Sequence, residues 1–283
     1  MVKSVEFSGG IILPAIGQGT WYMGENASQR KQEVAALQSG LEKGLRLIDT
    51  AEMYADGGAE EVVGEALLGR REDAWLVSKV YPWNAGAVDA AEACERSLRR
   101  LNTDYLDLYL LHWRGNVPLE ETLRAMESLQ QSGKILRWGV SNFDSEDMVE
   151  LLAEEGGAAC AANQVLYHLA SRGIEYDLLP DCQQLHIPVM AYCPLAQAGR
   201  LRRDLMESPI LRQVAQQKGI SVAQLLLAWV IRNEGIMAIP KASSVQHVAE
   251  NAAALEVELS SEELALINQA YPPPDGKMPL DVV

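Results

Sequence analysis

The sequence has few phenylalanines, histidines and cysteines: two, four and four in 283 residues. None of the cysteines (Cys94, Cys160, Cys182, Cys193) stands in a CxxC pair or at metal-ligand spacing. They read as reduced thiols of a cytoplasmic protein, which argues against a disulfide frame or a metal centre. Positive charge is scarce as well, since 24 Lys and Arg face 39 Asp and Glu for a formal charge of −15. That balance argues against nucleic acid as a partner. It leaves room for a few local cations or helix N-termini to hold a phosphate. Long apolar runs are missing. The best, Leu225 to Ile231, is far too short to span a bilayer, and Met1-Val2-Lys3-Ser4-Val5-Glu6 lacks the apolar core of a secretory signal. The expected protein is soluble, metal-free and monomeric. None of these absences names a function.

What is present is a repeat. Hydrophobic residues make up 48% and charged residues 22%, the balance of a folded globular chain. Val5–Phe7 and Gly10–Leu13, split at Ser8-Gly9-Gly10, predict a β-hairpin. A short strand at Ile16 runs into Gly17-Gln18-Gly19-Thr20-Trp21, and helical spacing follows over Gln29–Lys43. Short apolar runs then recur at Leu45–Ile48, Ala74–Ser78, Leu106–Leu111, Ile135–Val140, Ala161–Val165, Val189–Ala191 and Met237–Ile239. Between them lie helical patterns at Glu60–Leu67, Val88–Leu101, Leu119–Gln131, Glu146–Ala153, Ile174–Leu185, Pro209–Gln217 with Val222–Arg232, and Val245–Ala253. Eight strand–helix units with no linker-like break predict one (β/α)8 TIM barrel over residues 1–283, of α/β class. A doubly wound open sheet is the rival. Cys193–Met206 reads as a long connection outside the repeat. Ser260–Ala270 reads as an extra helix opened by a capping box, and a proline-rich tail after Tyr271 is expected to leave the body.

Barrel chemistry collects where strands end and βα loops begin. The tips deliver Asp49 with Tyr54 five residues on, Lys79, His112-Trp113, Ser141-Asn142, Gln164, Tyr192 and Lys241. Each has an ordinary reading alone: Asp49-Thr50 as a helix cap, Lys79 as a solvated boundary residue, His112 as a core histidine. One rim holding an Asp, a Lys, a His and a Tyr is better explained by chemistry. A phenol has an ordinary pKa of about 10. A neighbouring ammonium lowers it, an aspartate keeps that ammonium charged, and an imidazole orients a carbonyl oxygen. The set suits general acid–base catalysis at a carbonyl.

Asp49-Thr50-Ala51-x-x-Tyr54, Ser78-Lys79, Leu111-His112-Trp113, Ser141-Asn142 and Ile239-Pro240-Lys241 resemble, in order and spacing, the aldo-keto reductase superfamily. The likeness runs from Gly17 to Asn251. It implies Tyr54 as proton donor, Lys79 as the group that tunes it, Asp49 as the partner of Lys79, and His112 as the carbonyl-orienting residue. It also implies NADPH across the barrel mouth, with the N-terminal hairpin closing the other end. Gly19, Thr20, Trp21 and Asp49 join the cofactor set in the resemblance. Ser141, Asn142 and Gln164 match holders of the nicotinamide carboxamide, and Tyr192 matches the ring beneath the nicotinamide. Cys193, Pro194, Leu195 and Gln197 match the segment over the pyrophosphate, with Arg200, Arg202 and Arg203 nearby. Lys241 and Ser243 match the 2′-phosphate site and Asn251 the adenine site. His247 departs from the family arginine, and an imidazole grips phosphate less firmly than a guanidinium fork.

Trp21, Tyr54, Trp83, His112 and Trp113 are the expected substrate contacts, in an aromatic rim that also draws on Tyr22, Met53 and Tyr81. Such a rim favours small apolar or dicarbonyl compounds. Short loops resemble the bacterial members that reduce methylglyoxal. The implied activity is NADPH-dependent reduction of small aldehydes and 2-oxoaldehydes to alcohols. Two alternatives stand beside it: a barrel lyase using Lys79 as a Schiff base, which a charge-stabilising Asp49 opposes, and a non-enzymatic redox-sensing barrel resembling channel β subunits.

Overall fold

A computed structural model describes residues 2–283 of the chain. The predicted hairpin pairs β1 (Ser4–Phe7) with β2 (Ile11–Pro14), Ser4 opposite Pro14 and Phe7 opposite Ile11. Alternation along β1 buries Val5 and Phe7 and leaves Ser4 and Glu6 in solvent, as period-two geometry requires. Phe7 lies against Trp75 at 4.7 Å between ring centroids, so the hairpin plugs the end of the barrel where the strands begin.

The barrel strands are β3 (Gln18–Gly19), β4 (Leu47–Asp49), β5 (Trp75–Val80), β6 (Leu108–Leu111), β7 (Trp138–Ser141), β8 (Asn163–Leu166), β9 (Val189–Tyr192) and β10 (Ile236–Ala238), all pairing in parallel with their sequence neighbours. The first and last segments also meet. Gly17 N donates to Ala238 O at 2.9 Å, Gly19 N to Pro240 O at 3.1 Å, and Ala238 N to Ala15 O at 2.9 Å. The sheet therefore closes, and the open-sheet rival is excluded. Gly19 is at the seam because a Cβ there would stand 2.6 Å from Ile239 O.

Around the strands run α1 (Arg30–Glu42), α2 (Gly58–Ala66), α3 (Ala87–Leu101), α4 (Leu119–Gln131), α5 (Ser145–Ala153), α6 (Leu178–Gln184), α7 (Arg200–Glu207), α8 (Pro209–Lys218), α9 (Val222–Val230), α10 (Val245–Ala253) and α11 (Ser261–Ala270). Capping boxes open α5 at Asp144/Asp147, α9 at Ser221/Gln224 and α11 at Ser260/Glu263, each satisfying two otherwise orphaned backbone donors.

Three expectations are corrected. Ile174–Leu185 is a short 3-10 turn followed by the shorter α6. The connection after β9 is not all loop, because α7 forms within it and buries Leu205. The tail does not leave the body: Ser171 Oγ donates to Asp281 Oδ2 at 2.5 Å, and Lys277 Nζ to Glu146 Oε1 at 2.6 Å. These polar ties fold the tail back until Val283 reaches the barrel mouth. Among the described residues, no helix is long and apolar enough to cross a membrane.

Candidate active site

Strand alternation aims the key side chains. On β5, Ser78 points outward and donates to Glu60 of α2 at 2.5 Å, so Lys79 points into the barrel. There Lys79 Nζ donates to Asp49 Oδ2 at 2.8 Å, to Thr50 O at 2.8 Å and to Tyr54 Oη at 3.0 Å. An ammonium has three donors, and all three are used. Lys79 is 0% exposed. A Schiff-base role needs a neutral, reachable amine, and this one is neither free nor open.

Asp49, at the tip of β4, is 2% exposed. Its second oxygen, Oδ1, accepts from Gln164 Nε2 at 2.7 Å. The capping reading of Asp49-Thr50 fails: the Asp49 carboxylate is occupied, the buried Thr50 Oγ1 has no partner, and α2 starts only after Gly57. Tyr54 is instead held by a tight turn in which Ala55, Asp56 and Gly57 take φ of 50°, 52° and 88°. Left-handed non-glycine residues gather at this end of the barrel, at Tyr22, Ala55, Asp56, Asn142, Cys193 and Ala196, where strained backbone often serves a site.

Burial, with help from the Asp49 charge, pushes the Tyr54 phenol well above its ordinary value. In the resting site burial is the first cause and sets the net direction upward, against the downward shift expected from Lys79. Lys79 stays within hydrogen-bond reach of the phenol oxygen, where an ammonium paired with Asp49 favours the phenolate once the proton leaves. Burial also pulls the Lys79 ammonium down, and Asp49 works against that pull. His112 follows β6; its ring centroid is 5.8 Å from that of Tyr54, edge to face. Burial first and the Lys79 charge second depress its pKa to about 2, so the imidazole is neutral. Its Nδ1 is buried without a partner among the described residues.

These groups stand at one end of a cavity of about 300 Å³. It is lined by the predicted Gly19, Thr20, Trp21, Asp49, Tyr54, His112, Trp113, Ser141, Asn142, Gln164, Tyr192, Cys193, Pro194, Leu195, Gln197 and Lys241. Thr20 Oγ1 is committed to Asp49 O at 2.9 Å. Tyr192 Oη donates to Asn142 Oδ1 at 2.7 Å, and Asn142 Nδ2 to His112 O at 3.1 Å. That network fixes the Tyr192 ring as one wall.

Other predicted residues lie outside the lining. Trp83 is on the rim, 61% exposed, stacked on Tyr81 at 4.3 Å and edge-on to Trp113 at 5.7 Å. Ser243, His247 and Asn251 sit beyond Lys241, before and along α10. Sequence reasoning missed the Gln164–Asp49 bond and the lining role of Val283, and it weighed Arg202 only as an added phosphate contact beside Arg200 and Arg203. Neither the bond nor the Val283 placement has a local signal, since the first joins opposite walls of the barrel and the second depends on the path of the tail.

The model of the Aldo/keto reductase family matches residues 15–272. The chain is 67% identical over 281 residues, 99% of each chain, to the methylglyoxal reductase YeaE of Escherichia coli. It is 34% identical over 268 residues to the glyoxal reductase of Bacillus subtilis, covering 94% of this chain and 91% of that one. In three dimensions it is similar to a Klebsiella pneumoniae aldo/keto reductase crystallised with NADP and acetate. That likeness has a TM-score of 0.98 and 64% identity and covers both chains completely.

Proposed function

The chain belongs to the aldo/keto reductase family, and from that premise we propose that it reduces small aldehydes and 2-oxoaldehydes with NADPH, as a monomeric cytoplasmic enzyme. The observation that carries the reading is the buried line Asp49–Lys79–Tyr54 opening beside a neutral His112 into a cavity. The names of the relatives support the substrate class. The four cysteines are free, which suits a reducing compartment.

The residues present fit a phosphorylated dinucleotide. Ser243 Oγ is buried without a partner, a hydroxyl waiting for an acceptor or donor. Lys241 and Arg202 line the cavity and have no carboxylate within 4.0 Å among the described residues, in a protein otherwise rich in acid. The N-terminus of α10, with Ser244 as cap, lies two residues beyond Ser243, and helix N-termini favour phosphate. Lys241, Ser243 and α10 would hold the ribose phosphate, the 193–197 loop and Arg202 the pyrophosphate, and Asn142, Ser141, Gln164 and Tyr192 the nicotinamide. Bound there, a reduced nicotinamide supplies the hydride.

The chain's own part is the proton. A carbonyl oxygen placed between Tyr54 Oη and His112 accepts a hydrogen bond from each: the phenol donates its proton, and the neutral imidazole orients the oxygen. Lys79 stabilises the phenolate that remains. Trp21, Tyr54 and Trp113 enclose the substrate and exclude water, with Trp83 only at the rim. The test is NADPH oxidation over a panel of aldehydes and dicarbonyls, methylglyoxal included; a chain that binds NADPH yet turns over none of them would overturn the reading.

A further inference from the structure

Gln164 makes a contact that holding a cofactor does not require. From β8 it reaches across the barrel, and its Nε2 donates to Asp49 Oδ1 at 2.7 Å, both side chains being buried. Lys79 takes the other carboxylate oxygen at 2.8 Å and reaches Tyr54 Oη at 3.0 Å. One unbroken series of hydrogen bonds therefore runs from Gln164 through Asp49 and Lys79 to the phenol. The backbone of Gln164 is pinned as well, because its carbonyl accepts from Ser141 Oγ and from Asn142 N, each at 2.8 Å.

We propose that Gln164 is a positioning residue for the proton-donating step, acting through Asp49. This is a second task beside lining the nicotinamide end of the cavity, and it rests on the reductase reading of the same site. A buried carboxylate oxygen left without a donor carries its full desolvation cost. Asp49 has two side-chain donors, one per oxygen, and its charge opposes the pull of burial on the Lys79 ammonium. The titratable groups around the pair are Tyr54 from the loop after β4, His112 from the end of β6, Tyr192 and Cys193 from the end of β9, and Glu60 from α2 behind β5. None of these is a cation, so none replaces the Gln164 amide when it is lost. With one oxygen left without a donor, Asp49 is held less firmly against Lys79, and the ammonium that stabilises the Tyr54 phenolate loses its fixed position.

Two variants separate this task from cofactor holding. Gln164→Met removes the donor at similar length. Its kcat with methylglyoxal at saturating NADPH should fall roughly tenfold or more. NADP+ affinity, read by tryptophan fluorescence, should change less than kcat. Gln164→Glu should be poor at about pH 8 and recover towards about pH 5, because a carboxylate repels Asp49 whereas the protonated acid donates to Oδ1. A residue that only holds a carboxamide predicts the reverse: no recovery on acidification, and a loss confined to cofactor affinity. That result would overturn the proposal. Thermal unfolding of Gln164→Glu beside wild type, without cofactor or substrate, gives a readout free of turnover. Its melting temperature should approach that of wild type as pH falls, and parallel curves would sink the Asp49 link. If wild type reduces no carbonyl, the reductase reading falls while the melting series still decides the link.

Discussion

Lys79 Nζ donates to Tyr54 Oη across 3.0 Å. An ammonium can only donate, so the phenol oxygen is an acceptor towards Lys79 and its own hydrogen must point elsewhere. The open direction is the cavity, where Tyr54 faces His112 edge to face. The geometry leaves the phenol proton available to a substrate and keeps the cation behind it.

Tyr54→Phe should therefore cost about 10²- to 10⁴-fold in NADPH-dependent reduction, the usual worth of a positioned general acid. NADP+ affinity should stay nearly constant, because the phenyl ring and its contacts with Trp21 remain. Steady-state NADPH absorbance and fluorescence titration check the two halves. Wild-type turnover in this variant would remove Tyr54 from the mechanism.

The Asp49–Lys79 pair gives a stability prediction. Both side chains are closed to solvent, and removing one partner strands the other as a buried charge. Lys79→Met should destabilise the fold by about 3–5 kcal/mol, as is typical of broken buried pairs. Adding Asp49→Asn should restore part of that loss, since no lone charge then remains. Urea unfolding of Lys79→Met, Asp49→Asn and the double variant decides it, and full additivity would mean that the pair is not coupled.

Much of this arrangement was legible because barrel strands are short, apolar and punctuated. A side chain that ends an apolar run and shares the inward face, such as Asp49, Lys79 or His112, has only the barrel mouth to enter. The relations between tips were not legible. Gln164 and Asp49 are 115 residues apart, and no local pattern brings opposite walls together. The tail was misread because proline and glycine around Pro272–Gly276 suggest departure, while Lys277 and Asp281 bind it back through distant Glu146 and Ser171. The direction of the Tyr54 shift was missed because the depth at which the phenol is buried, the first cause of the shift, has no local signal in the sequence.

Two buried histidines add to the acid sensitivity. Burial depresses His112 to about 2, with Lys79 adding to the effect, and His168 to about 4. Both folded values lie below the ordinary histidine value of about 6.5, so the unfolded chain binds more protons and stability rises with pH in that window. Each contribution is complete above about pH 6.5 and is lost as pH falls from there towards the folded value, by up to about 1.4 kcal/mol per pH unit per group. His168→Gln should flatten the stability curve between about pH 6.5 and 4. Chemical denaturation at stepped pH measures it; an unchanged slope would show that His168 protonates freely in the fold.

Cofactor choice turns on the start of α10. Lys241 and His247 are exposed there, and His247 N is tied to Ser244 Oγ at 3.2 Å. A phosphate on the adenosine ribose would face Lys241, the unpartnered Ser243 hydroxyl and the helix N-terminus. Lys241→Ala should weaken NADPH binding and leave NADH nearly unaffected, because only the former carries the extra phosphate. His247→Arg should act in the opposite sense: a guanidinium adds a charge-assisted fork, worth roughly two- to fivefold in NADPH affinity at so exposed a position. The gain should shrink as salt is raised, since ions screen exposed charges. Titrating both nucleotides into both variants at low and high salt checks all three expectations. An equal gain for NADH would mean that His247 does not face the phosphate and that the preference for NADPH rests on Lys241 and Ser243 alone.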